Sequence, residues 1–177
     1  MAKVLPTITN PNPILRKKSN EVKAEEIRHK DFVQLILDME KTMETKDGAG
    51  LAAPQIGKNI RLIVLRHEEE SYIMINPQIT KKSWSKDIDE EGCLSVLNEK
   101  GEILYGPIER HKKINCVYTD FYGKKQKMTA SDLLARIIQH EVDHLDGILF
   151  IDYIKDLTIL KPLTDEKNPA KIDLSQK

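Results

Sequence analysis

Residues 129–147, TASDLLARIIQHEVDHLDG, decide how the rest of the chain is read. Leu133, Leu134, Ile137, Ile138 and Leu145 recur at helical spacing and form a wide apolar stripe, so the stretch reads as a largely buried α-helix. Thr129 or Ser131 can cap its start, Asp132 suits the positive end of the helix dipole, and Gly147 suits its C-terminal end. Inside the stripe lies His140-Glu141-Val142-Asp143-His144, an H-E-x-x-H pattern. Histidines four apart share one helix face, about a turn from each other, so both imidazoles can reach one ion. Glu141 is then placed beside water at that ion, where a carboxylate can serve as general base and pass the proton to a leaving amine. A helix carrying two histidines by chance fits poorly, because buried titratable groups are costly without partners.

Two histidines do not complete a catalytic site, which usually has three protein ligands and one open position. Cys93 is one candidate, in Glu91-Gly92-Cys93-Leu94-Ser95, where the preceding glycine permits a tight backbone path. A downstream carboxylate, Glu166, is another and would make the chain a zincin-type peptidase. Cys116, within the run INCVY, reads better as a small buried hydrophobe. A closed zinc module built from both cysteines and both histidines is a further option, weakened by the lack of a short C-x₂₋₄-C pair. A Cys-His-His set suits Zn²⁺ or Fe²⁺. The third constellation, Gly48-Ala49-Gly50-Leu51-Ala52-Ala53-Pro54-Gln55, follows a helix and lacks the Lys-Ser/Thr ending of a phosphate loop. Its small residues allow a substrate backbone to approach, and Gln55 offers an amide donor to a developing oxyanion.

Farther out, Phe32, Leu35, Ile36, Met39 and Met43 predict an amphipathic helix over 31–45. Residues 60–65 and 72–79 predict strands, with Pro77 marking the second as an edge or a strand end. Residues 114–121 and 124–129 predict a hairpin. Residues 5–20 read as an extended arm over the domain, and 165–177 as a polar tail. This gives one catalytic domain over 1–164, ample for 177 residues at 40% hydrophobic and 32% charged content. With 28 basic and 28 acidic residues, nothing argues for a general grip on nucleic acid, although a local basic patch is compatible with that balance. No membrane span and no secretory leader are evident, and two cysteines make no disulfide scaffold, so a cytoplasmic protein is expected.

The three motifs, in this order, resemble those of the peptide deformylases: G-x-G-x-A-A-x-Q at Gly48–Gln55, E-G-C-x-S at Glu91–Ser95 and H-E-x-D-H at His140–His144. The similarity runs from the arm (PNPILRKKSNEV) to about Tyr153. It implies an α+β fold, mainly antiparallel strands packed around a central helix carrying HEVDH, with an N-terminal helix. It implies hydrolysis of the formyl group from N-formylmethionyl peptides. Cys93, His140 and His144 would hold the metal, Glu141 would be the acid/base, and Gln55 with the Leu94 N–H would hold the formyl oxygen. Gly50 would contact the substrate backbone, and the methionine side chain would lie near Leu51, Ile137 and the helix face around His140. The implied physiological ion is Fe²⁺, with Zn²⁺ or Ni²⁺ able to occupy the site. Residues 96–109 (VLNEKGEILYGPIE) replace a shorter proline-containing link of the family and are expected to border the cleft. The tail lacks the long basic helix that some members use for ribosome docking, so ribosome association does not carry over.

Overall fold

The apolar run around Ile63 shows no alternation because both of its faces are covered. In the computed structural model, which describes residues 1–68 and 70–162, the run forms β2 (Leu62–His67). It pairs antiparallel with β1 (Gly50–Ala52) and with β3 (Glu70–Lys82). β6 (Lys113–Thr119) and β7 (Lys125–Ser131) extend this sheet in the order β1-β2-β3-β6-β7. Helices α1 (Lys30–Thr45) and α2 (Asp132–Leu145) cover its two faces. Leu62 and Val64 pack with Phe32, Ile36, Met39 and Met43 of α1. Ile63 and Leu65 pack with Ala135, Ile138, Val142 and Leu145 of α2. Because side chains alternate along a strand, β2 feeds two cores at once. Each fully buried aliphatic side chain there contributes roughly 1.5–3 kcal/mol.

A second antiparallel sheet contains β4 (Lys86–Leu97), β5 (Ile103–His111) and the short β8 (Lys161–Pro162). Its apolar side meets Leu15, Leu149 and Phe150, closing a third cluster with Cys93, Val96 and Ile108. The α+β class and the central position of α2 are as expected. No helix among the described residues is long and apolar enough to cross a membrane. The tail at 165–177 and the domain boundary expected at 164 lie outside the described residues.

Two local expectations are corrected. β3 is an interior strand, although Pro77 lies within it. The pairing with β6 shifts register between Ile75 and Gln78, and this bulge accommodates the missing N–H. Asn76 takes a left-handed conformation there (φ 52°), which its short amide tolerates, and its side chain both accepts from and donates to the backbone of Val22. At the start of α2, Thr129 belongs to β7 and Ser131 holds the cap position without a side-chain hydrogen bond. The Asp132 N–H instead donates to the Lys112 carbonyl at 2.8 Å, so the strand connection anchors the helix start.

The N-terminal arm joins the three motifs. The Ile8 N–H donates to the Gln55 carbonyl (2.7 Å), that of Asn10 to Ser95 (2.8 Å), and that of Ser19 to Leu145 (2.8 Å). Leu15, fully buried, pins the arm between them.

Candidate metal centre

α2 brings His140 and His144 to one face with ring centroids 5.0 Å apart. β4 supplies Cys93 opposite them, and one ligand atom from each of the three residues lies within 4.8 Å of the others. The pairing of β4 with β5 runs from Lys86↔His111 to Gly92↔Tyr105, then shifts register before Leu97↔Ile103. The irregularity spans Cys93–Val96, and bulges of this kind re-aim side chains beside active sites. Gly92 serves a different end from the one its sequence suggests: a Cβ there would strike the Tyr105 ring, which lies across the strand. The glycine thus makes room for an aromatic wall of the cleft.

Among the described residues, Cys116 is not in this cluster. Its sulfur sits in β6 against the α2 core, and burial pushes the thiol up to about 11. Glu166 lies outside the described residues, and among those described it is Cys93 that stands beside the two histidines. Cys116→Ser should leave the bound metal stoichiometry unchanged while costing about 1–3 kcal/mol of stability. Elemental analysis of the purified variant checks this, and a metal-free product would restore the four-ligand alternative.

The donor set fits a cation. Glu91 accepts from Nδ1 of His140 at 2.9 Å, which leaves the other ring nitrogen for the cluster. The same carboxylate accepts from Arg110 through two bonds of 2.9 Å and from Arg136 at 2.8 Å. Burial would raise Glu91, but the hydrogen bonds from His140 and Arg110 outweigh it and hold the carboxyl down at about 2. For His140, burial works to lower the pKa, yet hydrogen bonds with Cys93 and Glu91 hold it well above the usual imidazole range. Surroundings that favour a proton so strongly favour a divalent cation for the same reason. Burial and the neighbouring His140 push His144 well below that range, which keeps it neutral and able to ligate.

Glu141 lies beside the cluster, buried, with Oε2 lacking any hydrogen-bond partner. Burial raises its carboxyl to about 7, near the value that suits proton transfer at neutral pH. Gln55 is oriented from below. Its Oε1 accepts from the Ala52 N–H at 2.8 Å, which turns the NH₂ toward Cys93 Sγ (3.5 Å) and Ser95 Oγ (3.3 Å). A cleft of about 250 Å³ opens over these groups, lined also by Gly50, Leu94, Tyr105, Leu133 and Ile137. Ile103 and Tyr105 come from the 96–109 segment, which borders the cleft as expected.

Gly50 lies directly against the Glu141 carboxyl, since a Cβ there would overlap Glu141 Oε1. Gly50→Ala is therefore expected to displace Glu141 and to lower turnover by about 10²-fold, the scale of a 1 Å misplacement, with metal retained. Steady-state kinetics beside elemental analysis test it, and unchanged turnover would refute the contact's importance.

One substrate contact expected from the sequence is not where it was placed. Leu51 is fully buried beneath α1, because alternation along β1 turns Gly50 toward the cleft and Leu51 away from it. Leu133, assigned to the core stripe, is instead 55% exposed and lines the cleft beside Ile137. The partners of Glu91 were also missed. Arg110 bridges Glu91 and Asp143, and its guanidinium lies 4.9 Å over the Tyr153 ring. Arg136 donates to Glu91 and to Asp87. The available signal was Arg136 within LLARII, an unpaired charge in an apolar stripe that demands a buried partner.

Comparison with known proteins follows the same lines. The family model described as polypeptide deformylase matches residues 4–159. The peptide deformylase of Desulfotalea psychrophila is 41% identical over 160 residues, covering 87% of this chain and 89% of that one. That of Roseiflexus castenholzii is 40% identical over 154 residues, covering 77% and 80%. Among solved structures, a class I type b peptide deformylase from Acinetobacter baumannii with Met-Ala-Ser bound superposes with a TM-score of 0.82. It is 34% identical and the match covers 87% of this chain and all of that one. A peptide deformylase from Synechococcus elongatus in complex with actinonin gives a TM-score of 0.78 at 36% identity, covering 86% and 79%.

Proposed function

The chain belongs to the peptide deformylase family, and from that premise we propose which of its residues carry the reaction. The enzyme removes the N-formyl group from the formylmethionine that begins nascent polypeptides, releasing formate. The observation that carries the assignment of roles is the convergence of Cys93, His140 and His144 beside the unpartnered carboxyl of Glu141 at the floor of one cleft.

Cys93, His140 and His144 would hold the metal. A divalent ion held there supplies a Lewis acid and lowers the pKa of water into the neutral range. Glu141 would take the proton of the attacking water and deliver it to the departing amine. The Gln55 amide and the Leu94 N–H would donate to the formyl oxygen as charge gathers on it. The fixed Oε1 of Gln55 supports this, since the donor end has already been turned toward the sulfur. Gly50 would lie along the substrate backbone, and Leu133 with Ile137 would flank the methionine side chain. We assign Fe²⁺ as the physiological ion, as the family resemblance implies, with Zn²⁺ or Ni²⁺ able to take its place; the mixed thiolate and imidazole donor set is compatible with all three. A nascent chain as substrate supports a cytoplasmic location for the reaction.

The direct test is formate release from formyl-Met-Ala-Ser by anaerobically purified protein. Turnover that disappears on chelation and returns on adding Fe²⁺ or Ni²⁺ is the expected result. A folded, metal-loaded protein that releases no formate would overturn the reading.

A further inference from the structure

The turn between β3 and β4 carries a feature the reaction does not use. Trp84, the one tryptophan in the chain, stands fully exposed there, forgoing the burial that this side chain normally seeks. Lys81 and Lys82 precede it and Lys86 follows it, all exposed. The connection between β5 and β6 runs alongside. Ser83 N–H donates to the Lys113 carbonyl (2.8 Å), Lys112 N–H to that of Ser85 (3.0 Å), and Lys113 N–H to Ser83 Oγ (3.1 Å). Lys112 and Lys113, both exposed, therefore flank the same tip.

Lys86 is engaged with Glu109 at 2.7 Å. Among the described residues, Lys81, Lys82, Lys112 and Lys113 enter no ion pair. A chain of zero net charge thus gathers four uncommitted cations around a single exposed indole. The backbone bonds between the two turns hold this arrangement in place, as does the contact of His111 Nδ1 with the Ser83 carbonyl (2.6 Å). The patch also adjoins the reaction cleft, because Lys112 receives the first N–H of α2, whose first two turns present Leu133 and Ile137.

We propose that this tip docks single-stranded RNA, with Trp84 stacking on a base and Lys81, Lys82, Lys112 and Lys113 meeting the flanking phosphates. An aromatic platform set among cations is the chemistry that holds an unpaired strand without reading its sequence. An anionic membrane fits less well. Ile88, 68% exposed on the neighbouring strand, adds apolar area to the indole, but Asp89 and Glu90 beside it are exposed and would meet an anionic surface unfavourably. RNA is chosen because an enzyme acting on nascent chains works beside the RNA-rich translation machinery, and that choice rests on the deformylase reading.

The test uses the intact, metal-loaded protein and the fluorescence of Trp84, free of interference from any other tryptophan. Titration with a short oligoadenylate at low salt should quench the emission. The log of the affinity should fall with the log of salt concentration with a slope of about −3, for four phosphates neutralised on a single strand. Trp84→Ala, followed by the anisotropy of labelled RNA, should bind about tenfold more weakly. The combined Lys81→Glu, Lys82→Glu, Lys112→Glu and Lys113→Glu variant should lose the quenching yet release formate from a free formylated tripeptide at the wild-type rate. Absence of quenching in the wild type would overturn the proposal, as would RNA binding that survives the four glutamates. A blue shift with phosphatidylglycerol vesicles and no response to RNA would overturn it in favour of a membrane. Failure of wild-type formate release would instead strike the reaction assignment and leave the RNA titration to be judged by itself.

Discussion

Glu141→Ala is expected to keep its fold and its metal and to lose turnover of formyl-Met-Ala-Ser by about a thousandfold, in the middle of the range for a positioned acid/base. The proposed ligands Cys93, His140 and His144 are untouched by the change, so elemental analysis should show full occupancy. Stability should hold or rise. The wild-type carboxyl is buried, its Oε2 makes no hydrogen bond, and burial lifts its pKa to about 7. A group so placed is costly to the fold, and removing it relieves that cost. Thermal unfolding of the two apo proteins beside their steady-state kinetics separates the outcomes. A variant that unfolds more easily, or one that retains most of its turnover, would show Glu141 to be a structural residue.

Glu91→Gln should have the opposite signature, a loss of stability and of metal grip together. The wild-type carboxylate receives hydrogen bonds from His140, Arg110 and Arg136, all buried. Neutralising it strands two guanidinium groups with only Asp143 and Asp87 as charged partners. Breaking a buried ion pair on one side typically costs about 3–5 kcal/mol, which denaturant unfolding of the apo protein would read. Loss of the partner that orients a ligating histidine typically weakens metal binding by about 10–100-fold, which competition with a chelator would read. If Glu91→Gln bound metal as tightly as wild type, the carboxylate would not be what sets the His140 ring.

Much of the site was legible because its signals are local. Helical spacing alone aligns His140 with His144, and the motif around Cys93 pointed to the third member of the cluster. Gln55 was likewise marked by its motif, and the structure supplies the reason its amide faces the sulfur. The errors came where a property depends on what lies across the chain. Pro77 looked like an edge because a missing N–H is usually tolerated there, and a bulge opposite β6 was not visible from one strand. Leu51 and Leu133 were both judged by type, whereas their fates depend on which way a three-residue strand and the first turn of a helix face. The Glu91 cluster joins β4, β5 and α2 through residues as far apart as Asp87 and Asp143, which no window of sequence displays together.

The lacing of the arm has a consequence for the order in which the enzyme comes into being. Ile8 and Asn10 bind the backbone beside Gln55 and within the Cys93 motif, and Ser19 binds the last residue of α2. Ile8 and Asn10 find their partners as Gln55 and β4 are made, whereas Ser19 has none until α2 has been made. Until α2 has been translated and freed, neither histidine is present to complete the proposed ligand set, and Ser19 has nothing to fasten to. On the proposed ligand set, an enzyme whose work is done on unfinished chains would itself be inactive until α2 is made.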